Sequence, residues 1–136
     1  ETFMKMRKEV GPDLLVNIDP SNFLGAGDDP DEVAKACRGI IGSIHVKDAK
    51  KGTRDRGNVH HGKDARTGEK VAWFVPMGEG DVDWDAFFKE LKAGGYDGWF
   101  MIEDESPFSG IEVDPHDATY KSYGITKEYL EKLGYE

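Results

Sequence analysis

Three short apolar runs each close on a side chain able to hold a metal ion, and this pattern limits the possible folds more than any other feature of the chain. Leu14-Leu15-Val16-Asn17-Ile18 ends at Asp19-Pro20. The run from Ile40 to Val46 carries His45 near its end and passes into Lys47-Asp48, and Gly98-Trp99-Phe100-Met101-Ile102 ends at Glu103. Near-continuous apolar character in the first run predicts a strand buried on both faces. Gly42 interrupts the second, and a glycine inside a strand often marks the close approach of another part of the chain.

Between these runs the spacing becomes helical. Phe3, Met6, Arg7 and Val10 recur at helical intervals until Gly11-Pro12 ends the segment. Pro20 breaks the ladder after Asp19, and Ser21-Asn22-Phe23 is expected to open a loop in which Gly25 and Gly27 supply turn freedom. Asp28 or Asp29 can cap the next helix, with Pro30 in its first turn, Val33, Ala34, Ala36 and Cys37 as its apolar side, and Gly39 closing it. Asp83 is the expected N-cap of a stronger amphipathic helix, with Trp84, Phe87, Phe88 and Leu91 on one stripe and Gly94-Gly95 at its end. A last helix is predicted from Asp117 or Ala118 to Leu133, bent or broken at Gly124. From Lys47 to Met77 periodicity disappears. That stretch holds Arg54, Arg56, His60, His61, Lys63 and Arg66, and Val71 to Val75 is apolar enough to pack back on the body.

The alternation of strand and helix predicts parallel strands joined by right-handed crossovers, an α/β arrangement in a single domain over residues 1–136. Three such strands leave both edges and one face in need of cover. A net charge of −9 argues against a phosphate-backbone binder, which needs clustered Lys and Arg to release counterions, so nucleic acid is not an expected partner. The single cysteine, Cys37, permits no internal disulfide and fits a reducing compartment such as the cytoplasm. No apolar run approaches the ~20 residues needed to cross a bilayer, so no membrane partner is expected.

In a parallel sheet all strand C-termini point to one side, which brings Asp19, His45 and Glu103 to a common mouth. One imidazole nitrogen and two carboxylate oxygens suit a divalent Mn, Mg, Co or Zn ion, and the lack of thiol ligands argues against a structural zinc site. Each residue has a plainer role open to it. Asp19 before Pro20 could form a turn, Glu103 with Asp104 and Glu105 could be a solvated acidic edge, and Asp48 could order the following loop. Adjacent His60-His61 in a glycine-rich loop reads as solvent-exposed, and the basic loop residues read as polar surface unless they fold over the mouth.

Four motifs in order carry a family resemblance: Asn17-Ile18-Asp19-Pro20-Ser21-Asn22, Ile44-His45-Val46-Lys47-Asp48, Gly78-Glu79-Gly80-Asp81-Val82-Asp83-Trp84, and Gly95-Tyr96-Asp97-Gly98 leading to Ile102-Glu103. Together they resemble the sugar phosphate isomerase/epimerase family of xylose isomerase-like TIM barrels, whose relatives include tagatose epimerase, inosose dehydratase and endonuclease IV. The resemblance implies a partial (β/α)8 barrel of about three βα units, corresponding to barrel strands six to eight. It further implies that Asp19, His45 and Glu103 are metal ligands, that Glu103 also transfers a proton, and that Asn22, Lys47 and Asp48 contact substrate. Asn22 falls where epimerase relatives place a substrate-contacting His. The family's strand-five Glu, a fourth ligand and opposite-face base, would precede Glu1. The chain is therefore expected to be a truncated piece of such a barrel, or a half-barrel that associates with itself as a homo-oligomer.

The activity implied is a metal-dependent isomerisation or epimerisation of a sugar or sugar phosphate, by proton transfer through an enediolate and with reduced activity in a portion lacking the fourth ligand. Dehydration of a cyclic polyol, as by inosose dehydratase, is the alternative enzyme reading, and a non-catalytic self-associating half-barrel is the alternative outside enzymology. Endonuclease-like phosphodiester hydrolysis needs a richer set of His and carboxylate ligands and a less acidic chain.

Overall fold

The computed structural model describes residues 2–51, 59–60, 63–64 and 74–135, with the backbone alone described at 59–60 and 63–64. Helix α1 (Thr2–Val10) leads into strand β1 (Val16–Ile18), helices α2 (Pro20–Ala26) and α3 (Pro30–Ala36), and strand β2 (Ile41–Val46). Four two-residue strands follow: β3 (Asp48–Ala49), β4 (Val59–His60), β5 (Lys63–Asp64) and β6 (Phe74–Val75). Helix α4 (Trp84–Ala93), strand β7 (Trp99–Ile102), a 3-10 turn (Ser106–Ser109) and helix α5 (Pro115–Lys132) complete the order.

Strands β1, β2 and β7 form one parallel sheet in that order, so consecutive βα units lie side by side as they do in a (β/α)8 barrel. The register pairs Ile18 with Ile44 and Ile44 with Phe100, while Asn17 pairs with Ser43 and Ser43 with Trp99. Because side chains alternate along a strand, these rows separate two faces. Ile18, Ile44 and Val46 are fully buried in a core completed by Trp84, Phe87, Phe88 and Leu91 of α4, with Phe100, Ile102, Ile125 and Tyr129 packed against it. Phe88 sits at the centre, its ring 5.2 Å from Tyr129, 5.6 Å from Trp84 and 5.7 Å from Phe100. The other face carries Leu15, Asn17, Ser43, His45, Trp99 and Met101, and Trp99 is 80% exposed.

The expectation that β1 is buried on both faces is therefore corrected. Leu15 and Asn17 are exposed because, among the described residues, no layer covers their side of the sheet. Gly42 does mark a close approach, since a Cβ placed there would lie 2.8 Å from Leu15 Cβ.

Local chemistry explains two further departures. The segment after Asp19 is helix α2 and not a loop: Asp19 accepts hydrogen bonds from the Ser21 and Asn22 amides, and Pro20, with no N–H to lose, fits the first turn. Helix α5 begins at Pro115 under an Asp114 cap and runs through Gly124 without a break, because Ala118, Ser122 and Thr126 bury one side of it. The capping of α4 by Asp83 and of α3 by Asp29 follows the sequence reading, although the Asp29 side chain makes no cap hydrogen bond.

The stretch expected to be structureless instead contains two short antiparallel ladders, β3 with β6 and β4 with β5. Arg54, Arg56, His61, Arg66 and Val71 to Trp73 lie outside the described residues, as do the side chains of His60 and Lys63. Where β3 begins, the Asp48 carboxylate is only 1% exposed. It accepts from the amides of Ala49 at 2.9 Å, Gly78 at 2.9 Å, Gly80 at 3.0 Å and Val82 at 3.4 Å, and from the Trp84 indole at 3.2 Å. A charged acceptor that is fully enclosed in this way fixes the loop before α4 against the end of the sheet.

Gly80 has to be glycine in this arrangement, since a Cβ there would lie 1.8 Å from Asp48 Oδ1 and 2.7 Å from the Ala49 carbonyl oxygen. Gly80→Ala is expected to cost about 3 kcal/mol of stability by displacing a buried, fully bonded carboxylate. Urea denaturation of the variant beside the parent chain measures this, and an unchanged midpoint would show that the clamp yields freely.

Candidate metal centre

The alternation that places Ile18, Ile44 and Ile102 toward the core places the next residue of each strand on the open side. Asp19, His45 and Glu103 thus share the face of Asn17, Ser43 and Met101 and emerge together at the C-terminal edge of the sheet. One nitrogen and two carboxylate oxygens from these three side chains lie within 4.8 Å of one another. His45 Nδ1 is 2.8 Å from Glu103 Oε2 and 3.8 Å from Asp19 Oδ2.

Asp19 combines two roles. Its Oδ1 caps α2 by accepting from the Ser21 amide at 3.1 Å, the Asn22 amide at 3.3 Å and the Ser21 hydroxyl at 2.5 Å. Its Oδ2 faces His45 and accepts from Asn22 Nδ2 at 2.6 Å. The cap locks the carboxylate in one orientation, so the turn-forming role and the ligand role support each other. Asn22 touches the trio directly through this bond.

Lys47, two residues beyond His45 and on the same face, is the electrostatic centre of the mouth. Its side chain is 4% exposed, and its Nζ lies 2.9 Å from Asp19 Oδ2, 3.1 Å from Glu103 Oε2 and 2.6 Å from Glu105 Oε2. Burial works against the Lys47 ammonium, but the Glu105, Asp19 and Glu103 carboxylates outweigh it and hold the pKa above the ordinary lysine value. The Phe74 ring lies 4.6 Å from the ammonium and closes its remaining side.

Of the residues singled out in the sequence, Asp19, His45, Glu103, Asn22 and Lys47 come together. Asp48 takes the opposite side of the strand end, where its oxygens are occupied by the loop amides and the Trp84 indole. Glu105 is the residue that the sequence reading passed over as acidic edge. The signal that could have found it was Lys47 itself, because a lysine at the end of an apolar strand needs carboxylate partners to be buried.

The donor set fits a divalent ion: two hard carboxylate oxygens and one imidazole nitrogen, converging from rigid strand ends. Thiol ligands are absent from this trio, which separates it from structural zinc sites.

A family model described as xylose isomerase-like TIM barrel matches residues 1–129. Protein YfiH of Bacillus subtilis (strain 168) is 32% identical over 122 residues, a stretch that is 83% of this chain and 39% of that protein. An inosose dehydratase of Lacticaseibacillus casei is 27% identical over 115 residues, covering 84% of this chain and 36% of the relative. A solved D-tagatose 3-epimerase-like protein superposes with a TM-score of 0.61 at 25% identity, covering 90% of this chain and 37% of its own. The chain thus spans less than half the length of the relatives it matches. With the family model matching nearly its whole length and the parallel βα order present in its fold, the chain belongs to the xylose isomerase-like TIM-barrel family.

Proposed function

We propose that this chain carries the metal-binding and proton-transfer edge of a sugar or sugar-phosphate isomerase or epimerase. The observation that carries the reading is the convergence of Asp19, His45 and Glu103 within 4.8 Å at the mouth of a parallel sheet. A divalent cation held there by these three side chains would polarise a substrate carbonyl and stabilise the oxyanion that develops on it. Glu103, at 36% exposure, remains open enough to reach a substrate carbon and exchange its proton. Asn22 supplies an N–H donor beside the trio for a sugar oxygen, Lys47 orients the Asp19 and Glu103 carboxylates toward the substrate, and Asp48 holds the strand end that positions Lys47. The epimerase-like solved structure supports this reading.

A second reading, dehydration of a cyclic polyol, is favoured by the inosose dehydratase relative. Both begin with removal of a proton next to a carbonyl. They diverge afterwards, since isomerisation or epimerisation returns a proton to carbon whereas dehydration expels the neighbouring hydroxyl as water.

Calorimetric titration with Mn²⁺, Co²⁺, Zn²⁺ and Mg²⁺ should show one site in the parent chain and at least about tenfold weaker binding in His45→Ala. Absence of binding in both at millimolar metal would sink the metal reading. Incubation of ketose and aldose phosphates and of an inosose in deuterated water, followed by NMR, tests the chemistry. Carbon-bound deuterium in an isomer is the expected result, and loss of water with no returned deuteron would select the dehydratase reading. At saturating metal, Glu103→Gln should slow the exchange by about 10²–10⁴-fold; an unchanged rate would remove Glu103 from the proton-transfer role.

A further inference from the structure

We infer that Lys47 is a tethered counter-cation that competes with a divalent ion for Asp19 Oδ2 and Glu103 Oε2, and that Glu105 is the carboxylate on which it is held when the ion binds. The inference rests on the metal reading of the Asp19, His45 and Glu103 trio.

The geometry of shared oxygens carries it. Asp19 Oδ2 and Glu103 Oε2 face the His45 imidazole at 3.8 and 2.8 Å, and the same two atoms lie 2.9 and 3.1 Å from Lys47 Nζ. An ion placed between the imidazole and these oxygens would draw on lone pairs that the ammonium already uses. The ammonium cannot retreat into water, because its side chain is 4% exposed and Phe74 covers it. A buried ammonium without a partner is strongly disfavoured, so Lys47 needs an acceptor that the ion does not claim. Glu105 meets that need. It makes the shortest of the three contacts, 2.6 Å, and it lies outside the group of ligand atoms that converge with His45.

Charge balance points the same way. The three carboxylates and one ammonium carry a formal charge of −2, which is the charge that a divalent ion balances. Lys47 therefore sets a threshold: a cation has to bind the two shared oxygens more strongly than the resident ammonium does, which a monovalent ion with no such charge advantage would not.

This coupling differs from simple addition of charges, and a double-mutant cycle separates the two. Mn²⁺ is titrated calorimetrically into the parent chain, Lys47→Met, Glu105→Gln and the double variant, with circular dichroism verifying the fold of each. Lys47→Met should bind Mn²⁺ about tenfold more tightly and Glu105→Gln about tenfold more weakly, because the ammonium then falls entirely on the shared oxygens. The double variant should match Lys47→Met, since Glu105 has nothing left to hold. Weaker or unchanged binding in Lys47→Met, or an equal Glu105→Gln effect in both backgrounds, would overturn the inference. Should Lys47→Met not fold, Lys47→Gln takes its place in the cycle, and unchanged or tighter binding in Glu105→Gln refutes the coupling whichever variant is used. A parent chain that takes up no Mn²⁺ would defeat the metal reading and this inference together, whereas normal uptake with insensitive variants would defeat this inference only.

Discussion

Everything in this structure depends on the parallel registration of three strands, β1, β2 and β7. Hydrogen bonding fixes which residues stand in each cross-strand row, and the two-residue period of the strand then assigns every side chain to one of two faces. Ile18, Ile44, Val46, Phe100 and Ile102 go to the helix side and make the core. Their neighbours Asp19, His45, Lys47 and Glu103 go to the opposite side and make the site. A register slip of one residue in β2 would bury His45 and expel Ile44, so core and site are specified by the same constraint.

The strand ends are secured by two carboxylates with different partners. Asp19 caps α2 while presenting its second oxygen to His45. Asp48, on the other side of β2 beyond Lys47, gathers the amides of Gly78, Gly80 and Val82 and the Trp84 indole. The first ties the site to a helix N-terminus and the second ties the loop before α4 to the sheet. Between them Lys47 is left in one place, which is why three carboxylates can surround it with little further ordering cost. The open side of the sheet, with Trp99, Met101 and Leu15 exposed, accords with a chain that spans less than half the length of its relatives.

Much of this was legible from residue type and spacing. The apolar stripe of α4, its Asp83 cap, the close approach at Gly42 and the convergence of Asp19, His45 and Glu103 all follow from periodicities that act over a few residues or from the polarity of parallel strands. The misreadings have local physical reasons. Pro20 in isolation reads as a breaker, although the same ring suits the first turn of a helix once Asp19 supplies the cap, and Gly124 reads as a bend or break, although burial of the surrounding turn of α5 offsets its lower helix propensity. The short β3–β6 ladder joins residues more than twenty positions apart, a pairing that no local pattern encodes.

The sequence by itself determined the alternation of strands and helices, the core stripe and the set of candidate ligands, because these depend on which side chains recur at which interval. Only the tertiary structure decided how Lys47, Asp48 and Glu105 divide the remaining charge. Lys47 and Asp48 are adjacent in the chain and equally polar, yet they occupy opposite sides of one strand end: the lysine is enclosed by three carboxylates, the aspartate by backbone amides and an indole. Their partners come from β1, the loop before α4 and the segment after β7, and a charge's role is set by which distant groups share its burial.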